Sequence, residues 1–408
     1  MTVRLSDYAR IVGPGVIEEI ELLARKVRGR RMKMVNSTAV GGGVAEMLAK
    51  TVPIFNELGI ETKWDVIKGA DSFFSVTKSF HNALHGMKVD IKNEMFDIFR
   101  EFNEMNAREM TFDEDLIVIH DPQPAGLIEK KAEGKGKWVW RCHIDVSHPD
   151  MRVWDFLKQY IEKYDGSIFS SPSFAKTLPI PQFLIYPAID PLSDKNRELP
   201  SYTVDRVLKK YNIPGNKPII TQISRFDRLK DPTGVIEAYK IAKRHVDCRL
   251  ILAGGGATDD PEAGDVLARV KERAGDDPDV HILTLPPFSD LEINALQRAS
   301  DVIIQKSIRE GFGLTVSEGL WKGKPVIGSA VGGIPLQIKH NLTGALVYSI
   351  EGCAYQIRYL LSNPDFATKL GTWGKELIRE KFLITRIVRN YILMLIALDK
   401  PGESIIEI

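Results

Sequence analysis

The sequence predicts an α/β protein made of two doubly wound domains, each a parallel sheet covered by helices on both faces. Short apolar segments alternate with segments of helical period along the whole chain, and this alternation restarts after a polar, proline-bounded stretch at 190–200. The length of 408 residues also exceeds what a single hydrophobic core usually supports. We therefore expect domains at 1–195 and 196–382 that face each other across a cleft, and a terminal helix at 383–408 that packs on the first domain.

The expected strands share short apolar runs bounded by polar or turn-forming residues. In the first half these runs lie at 32–36, 115–120, 138–143 and 183–189. In the second half they lie at 217–224, 249–253, 281–285, 301–304 and 325–327. Helical periods follow at 44–58, 234–244 and 289–299, and the chain after 351 is mostly helical. Ligands of such sheets bind beyond the carboxyl ends of the strands, so motifs at those ends are candidates for function.

Composition and charge restrict the classes of function. With 44% hydrophobic residues, 27% charged residues and a net charge of +1, the chain lacks the basic character of a nucleic-acid binder. Its three cysteines show neither metal-ligand nor CxxC spacing, which favours a reducing compartment. The N-terminus lacks a signal pattern, and the longest late apolar stretch, 391–398, is too short for a bilayer. We expect a cytoplasmic protein without nucleic-acid or membrane partners; the oligomeric state stays open, with a homodimer as one candidate.

The most informative motif is E-G-F-G-L-T-V-S-E at 310–318, which lies between two apolar runs. It predicts a strand, a glycine turn, a short helix and a further strand. Backbone amides at a helix N-terminus suit a phosphate. Glu310 lies in the turn and Glu318 one turn inside the helix, so either carboxylate could accept hydrogen bonds from vicinal sugar hydroxyls. The motif is typical of a nucleotide-sugar site, although alone it also fits an ordinary loop whose helix starts with an acidic residue.

Two glycine clusters offer further candidate binding loops. Gly42 and Gly43 belong to a cluster at 41–43 that opens a helix, where glycine lets the backbone approach a ligand closely. A dinucleotide fingerprint would need glycine at Glu46, and the second cluster, at 254–256, would need it at Asp259. A nicotinamide enzyme is therefore disfavoured, whereas glycines that serve only chain reversal remain an alternative for either cluster.

Charged residues and a histidine follow other strands. Arg225 and Lys230 follow the strand at 217–224 and could converge on a diphosphate. The arginine would bind through its bidentate fork and the lysine as a point charge. His143 ends the strand at 138–143 and is a candidate contact for a sugar hydroxyl, whereas we interpret His120 as structural. No metal-ligand set is predicted.

Together these motifs resemble the retaining glycosyltransferases of the GT-B fold, in the group of sucrose, glycogen-like and mannosyl transferases. The resemblance covers most of the chain in the family's order. It comprises the glycines at 41–43, S-R-F-D-x-x-K-D at 224–231, A-G-G-G at 253–256 and the 310–318 motif.

The resemblance implies a role for each motif. Glu310 would hold hydroxyls of the donor sugar and Glu318 the nucleotide ribose. Arg225 and Lys230 would neutralise the diphosphate leaving group, and His143 would touch the donor sugar's far hydroxyl. The turn and the helix start would line the donor through Gly311, Phe312, Gly313, Leu314 and Thr315.

A narrower likeness concerns V-G-P-G-V-I-E-E-I, S-F-H-N-A-L-H-G, I-H-D-P-Q-P-A-G-L and W-R-C-H-I-D. These segments look like the trehalose glycosyltransferring synthases, which are related to retaining trehalose phosphorylases. The likeness implies transfer of glucose from ADP-glucose or UDP-glucose to free glucose, with an α,α-1,1 linkage and a reversible reaction. No obligatory cofactor is implied, and Mg²⁺ would act at most as a stimulant. A phosphorylase, another disaccharide or glycan transferase, and a non-catalytic nucleotide-sugar sensor remain alternatives.

Overall fold

The chain divides into two compact units, Met1–Ala188 together with Ile384–Ile408, and Ile189–Leu383. The structure is a computed structural model that describes residues 3–40, 42–255 and 263–400. Each unit contains a six-stranded sheet in which the paired strands are parallel. The predicted α/β class with two doubly wound sheets is confirmed. The boundaries expected from the sequence, at 195 and 382, stay a prediction.

The sheet of the first unit has the strand order β2-β1-β3-β4-β5-β6. Every residue of β3 and β5 is buried, as expected for central parallel strands covered on both faces. The strands are β1 Arg31–Asn36, β2 Glu61–Val66, β3 Leu116–His120, β4 Lys137–Cys142, β5 Gly166–Phe169 and β6 Gln182–Leu184.

The helices of this unit present apolar faces to an aromatic core that includes Phe80, Phe99 and Trp140, all almost fully buried. They are α1 Ala9–Val12, α2 Pro14–Arg25, α3 Gly43–Glu57, α4 Asp71–Leu84, α5 Asn93–Glu109 and α6 Met151–Ile161. Short 3₁₀ segments occur at Leu5–Tyr8, Ala125–Glu133 and Pro172–Phe174.

The sheet of the second unit has the order β12-β11-β10-β7-β8-β9, so β7 and β10 are central neighbours. Its strands are β7 Ile219–Ile223, β8 Arg249–Gly255, β9 Val280–Leu285, β10 Val302–Gln305, β11 Val326–Ser329 and β12 Ala345–Val347. Its helices are α7 Ser201–Lys210, α8 Pro232–Lys243, α9 Ala263–Ala274, α10 Asp290–Ala299, α11 Leu314–Trp321, α12 Ile334–Gln337, α13 Ile350–Ser362 and α14 Pro364–Lys381. A 3₁₀ turn, Arg228–Lys230, follows β7.

One expectation about the chain after the first sheet was wrong. The strand expected at 183–189 is only Gln182–Leu184, and Pro187, which lacks the amide proton that a ladder requires, lies beyond its end. In the proline-bounded stretch at 190–200, Asn196 is fully buried. Its side-chain amide donates to the carbonyl of Asp190 at 3.1 Å and its Oδ1 accepts from Lys322 Nζ at 3.0 Å.

The last helix, α15 Ile384–Leu398, packs against α2 and α3 within the first unit. Ile387, Val388 and Ile392 on its buried face are at most 1% exposed, and the ring of Tyr391 meets Phe55 at a centroid distance of 5.9 Å. Within the described ranges, no helix combines the length and the apolar content needed to cross a bilayer.

Replacement of Ile392 by alanine should destabilise the first unit, because this fully buried side chain would leave a cavity under α15. We expect a loss of about 2–5 kcal/mol in the free energy of unfolding, measured by urea denaturation. The control is Lys400→Ala, an exposed residue just beyond the helix, which should change stability by less than about 0.5 kcal/mol. Equal effects of the two substitutions would contradict the packing of this helix.

Candidate functional site

Glu310 is the centre of a buried hydrogen-bond network in the second unit. Its side chain is only 8% exposed. The carboxylate oxygen Oε2 accepts three hydrogen bonds, from Lys230 Nζ at 2.6 Å, Gln305 Nε2 at 3.1 Å and Ser307 Oγ at 3.0 Å. Lys230 follows β7, Gln305 is the last residue of β10, and Ser307 lies two residues beyond it. Residues near the ends of two neighbouring strands therefore hold one carboxylate.

This network determines the charge of Glu310. Burial alone would raise the pKa of the carboxyl, but the Lys230 ammonium and the hydrogen bonds from Ser307 and Gln305 outweigh burial and hold that pKa below its ordinary value. Glu310 is therefore a carboxylate at neutral pH. All three of these donors bond Oε2, and none of them bonds Oε1.

The turn after Glu310 depends on glycine at three positions. Gly313 has φ +82°, in the left-handed region that favours glycine, and is the N-cap of α11. A Cβ on Gly332 would lie 1.6 Å from the carbonyl oxygen of Glu310, and one on Gly333 would lie 2.7 Å from that of Gly311. The Gly332–Gly333 pair, which sequence reasoning missed, therefore packs directly against the backbone of the turn and supports it.

The other residues of the predicted motif have different surroundings. Phe312 is 5% exposed and its ring packs on Phe382 at a centroid distance of 5.5 Å, so the ring anchors the turn. Gly311, Leu314 and Thr315 are partly exposed at the start of α11. Thr315 Oγ1 also donates to the carbonyl of Ile223 at 3.2 Å, which fixes α11 to the end of β7.

Glu318 belongs to a second network. Its side chain is 6% exposed, Oε2 accepts from Gln297 Nε2 at 3.1 Å, and Oε1 lies 3.9 Å from Lys195 Nζ. Lys322 Nζ donates to the backbone carbonyl of Glu318 at 3.2 Å. None of the three residues that bond Glu310 is among these partners, so the two carboxylates are held separately.

Arg225 follows β7 and its side chain is 44% exposed, with Asp227 Oδ2 at 3.7 Å from its Nη2. The guanidinium is thus accessible at the carboxyl end of the sheet. Nearby, a Cβ on Gly254 would lie 1.8 Å from the carbonyl oxygen of Ser224. Close approach of two strand ends therefore explains Gly254 structurally, and Gly256 of the same cluster lies outside the described residues.

In the first unit, His143 lies at the centre of a polar cluster at the ends of β3 and β4. Its Nε2 accepts from Arg141 Nε at 3.1 Å and lies 3.0 Å from His120 Nδ1. Its backbone amide donates to Asp121 Oδ1 at 2.8 Å. Burial, the Arg141 cation and His120 together lower the pKa of His143 well below its ordinary value, so the ring is neutral. His120 is fully buried, as a structural residue would be, but it directly supports the candidate histidine.

Asp121 is a candidate that sequence reasoning passed over. It stands one residue past β3 with φ +68°, a left-handed conformation that aspartate tolerates better than most residues. Burial raises the pKa of its carboxyl to about 7, against the opposing effects of the His143 amide and Arg141. The signal in the sequence was its position after an apolar strand, in I-H-D-P.

Gly42 and Gly43 start α3, as predicted, and Gly41 lies outside the described residues. Gly42 has an extended backbone, and a Cβ built on it would have no heavy atom within 4 Å. The packing of the fold therefore does not require glycine at this position. Among the residues that the structure describes, no group of three His, Cys, Asp or Glu side chains could hold a metal ion.

Comparisons with known proteins agree with this architecture. The family models "Trehalose synthase, N-terminal domain" and "Glycosyl transferases group 1" match residues 34–176 and 204–377. The trehalose synthases of Pyrococcus horikoshii and Rubrobacter xylanophilus are 43% and 41% identical, each over 95% of this chain and 95% of the relative. A trehalose phosphorylase of Pleurotus pulmonarius is 29% identical over 84% of this chain and 54% of its own.

Two solved structures show the same fold at low sequence identity. Sucrose-phosphate synthase from Thermosynechococcus elongatus superposes with a TM-score of 0.71 at 19% identity, over 91% of this chain and 99% of its own. A UDP-forming α,α-trehalose-phosphate synthase from Burkholderia xenovorans gives a TM-score of 0.73 at 13% identity, over 91% and 100%. The fold and the sequence families define a glycosyltransferase of the GT-B fold. Within that class, the chain belongs to the trehalose synthase family and is a hexosyltransferase.

Substitution of Asp121 by asparagine should stabilise the protein more at pH 8 than at pH 4. Burial raises the pKa of Asp121 to about 7 in the folded protein, whereas the ordinary pKa of an aspartate carboxyl, which applies to the unfolded chain, is 3.8. Between these values the folded state binds more protons, so this group makes wild-type stability fall as pH rises. Asparagine cannot ionise and still accepts from the His143 amide.

The measurement is the difference in melting temperature between variant and wild type at the two pH values. Asp155→Asn, at an exposed position of the same unit, controls for loss of one negative charge and should show no increase between pH 4 and pH 8. A difference for Asp121→Asn that stays constant or shrinks with pH would contradict the raised pKa.

Proposed function

We propose that the protein transfers glucose from ADP-glucose or UDP-glucose to free glucose, forms the α,α-1,1 linkage of trehalose, and runs reversibly. The strongest support is the identity of about 43% with a trehalose synthase along nearly the whole of both chains. The ionised, oriented Glu310 and the accessible Arg225 supply what a sugar nucleotide needs, a hydroxyl acceptor beside positive charge.

In the proposed donor site, Glu310 Oε1 accepts hydrogen bonds from sugar hydroxyls while Lys230 secures Oε2. The backbone of Gly311, Phe312 and Gly313 lies along the sugar, and the amides of Leu314 and Thr315 face the diphosphate. Lys230 still has two of its three ammonium protons available after bonding Glu310, so it can contact both the carboxylate and a phosphate oxygen. Arg225 contributes a bidentate contact to the same diphosphate, and Glu318 accepts from the ribose hydroxyls.

In the first unit, His143 donates to a sugar hydroxyl and Asp121 accepts from the acceptor glucose. The backbone at Gly42 and Gly43 approaches the substrate closely.

The reaction breaks the bond between the anomeric carbon and the diphosphate oxygen and forms a bond from that carbon to the acceptor's anomeric hydroxyl oxygen. The acceptor proton passes to the departing diphosphate on the same face, so configuration is retained. Cations and amides stabilise the leaving charge, which leaves Mg²⁺ a stimulatory role at most.

A second candidate function is phosphorolysis of trehalose, which the match to a trehalose phosphorylase favours. This chain spans only about half of that relative's length. Phosphorolysis would use inorganic phosphate as the nucleophile and would release glucose 1-phosphate. The two reactions therefore differ in the co-substrate that they need for trehalose cleavage.

We expect purified protein to convert ADP-glucose or UDP-glucose and glucose to trehalose, identified by the NMR signal of its symmetric anomeric linkage. In reverse, trehalose and a nucleoside diphosphate should yield the sugar nucleotide and glucose. Cleavage that proceeds with inorganic phosphate and not with ADP or UDP would establish the phosphorylase instead. A different disaccharide in an acceptor screen would refute glucose as the acceptor.

Replacement of Glu310 by glutamine should lower kcat for transfer by about 100-fold or more, because the charged acceptor beside the reacting sugar is lost. The matched control is Glu318→Gln, which also replaces a nearly buried carboxylate. It should mainly raise KM for the nucleotide sugar, since ribose is bound equally before and during transfer. Steady-state kinetics, with melting curves to verify folding, measure both effects. A Glu310 variant with activity close to that of the wild type would contradict the role assigned to Glu310.

A further inference from the structure

Arg141 is a fully buried arginine whose hydrogen bonds go to partners without formal charge. It stands in β4, two residues before His143, and is 0% exposed. Nε donates to His143 Nε2 at 3.1 Å, Nη1 to the Tyr391 hydroxyl at 2.8 Å, and Nη2 to the Ile185 carbonyl at 3.3 Å. The guanidinium also lies 5.3 Å from the centre of the Tyr391 ring. Burial of a cation in such surroundings is costly, which calls for a reason.

The contact between Arg141 and His143 fixes the protonation of the histidine. A guanidinium nitrogen only donates hydrogen bonds, so Nε2 of His143 must offer its lone pair. A neutral imidazole with a bare Nε2 carries its proton on Nδ1. With Nε2 of His143 accepting, the 3.0 Å contact requires His120 to carry its proton on Nδ1, and the His120 ring stacks on His143 at 11° between planes.

Tyr391 holds the Arg141 side chain in place, although the two residues lie far apart in the sequence. It lies in α15, 250 residues from Arg141 in sequence, and its ring is packed on Phe55. The bond from Nη1 to the tyrosine hydroxyl and the ring contact together restrict the guanidinium plane. The direction of Nε, and therefore the state of His143, depends on how the last helix packs.

We propose that Arg141 is a positioning residue, held by Tyr391, that locks His143 as the neutral Nδ1–H tautomer and so makes Nδ1 the donor to a sugar hydroxyl during transfer. The part played by the sugar rests on the proposed function, whereas the tautomer is a property of the protein alone. The groups that face His143 are His120 and Asp121 from β3 and its end, and Arg141 from β4. The low pKa of His143 described above agrees with this state.

The direct test is a long-range ¹H–¹⁵N correlation spectrum of full-length protein with ¹⁵N-labelled histidine at pH 7. His143, assigned through the loss of its signals in His143→Gln, should show one neutral Nδ1–H tautomer. In Arg141→Met, the preference should be lost to a mixture, to Nε2–H, or to a ring that protonates at higher pH. An Nε2–H or charged His143 in the wild type, or an unchanged tautomer in a folded Arg141→Met, would overturn the proposal.

Two further variants separate the specific effect of Arg141 on His143 from a general loss of folding. Tyr391→Phe removes only the hydroxyl that accepts from Nη1, and it should shift the tautomer population in the same direction as Arg141→Met. Arg249→Met removes another buried arginine, 4% exposed and bonded to Asp279, and should destabilise the second unit without altering the His143 signals. A change of the His143 tautomer in Arg249→Met equal to that in Arg141→Met would overturn the specific role of Arg141.

Kinetics then connect the tautomer to the reaction. We expect kcat/KM for sugar transfer to fall about 10- to 100-fold in Arg141→Met, by analogy with the loss on removing a group that orients a metal-bound histidine, with a smaller loss in Tyr391→Phe. An altered tautomer with unchanged kcat/KM would overturn the role in transfer. If the wild type shows the Nδ1–H tautomer but makes no trehalose, the proposed function fails while the positioning by Arg141 stands.

Discussion

The ion pair between Lys230 and Glu310 is the interaction on which the organisation of the second unit's site depends. Lys230 follows β7 and Glu310 follows β10, and these strands are neighbours at the middle of the sheet. Their pairing at 2.6 Å holds the two loops together and places the Lys230 ammonium on Oε2 of Glu310. Gly332 completes the arrangement, since any side chain there would collide with the Glu310 carbonyl. The Glu310 carboxylate thus explains a lysine and two polar residues at a strand end, and the Glu310 backbone carbonyl explains Gly332.

The first unit also has a polar cluster at the ends of neighbouring strands, but the titratable group in that cluster is uncharged. Its polar cluster also forms where two neighbouring strands, β3 and β4, end. In both units a basic side chain approaches a titratable group, but the titratable groups respond differently. A nearby cation lowers the pKa of a carboxyl and so favours its charged form, whereas it lowers the pKa of an imidazole and so favours its neutral form. One unit therefore presents a fixed anion and the other an uncharged histidine.

The sequence predicted the class of fold and the strand ends that bear polar residues, because apolar runs followed by glycine or charge are local signals. It could not predict which of these residues touch. Lys230 and Glu310 are 80 residues apart, and Arg141 and Tyr391 are 250 apart, so each contact exists only after the sheets and helices have packed. Phe312 illustrates a second limit, since its motif suggests a ligand contact while packing on Phe382 uses its ring for the core. Asp121 was passed over because a strained backbone and burial, neither visible in sequence, raise its pKa.

The two carboxylates of the 310–318 motif illustrate what the structure adds about mechanism. A glycosidase needs one carboxyl that stays protonated to assist the leaving group and a second that is ionised. Glu310 cannot be the acid, because Lys230, Ser307 and Gln305 keep its pKa low. Glu318 bonds a different set of residues, with Gln297 and Lys195 on its two oxygens, so no shared proton couples the pair. A diphosphate leaves as a stable anion and needs no carboxylic acid behind it. This arrangement supports the transfer that we propose, in which positive charge stabilises the leaving group and the leaving group itself accepts the proton.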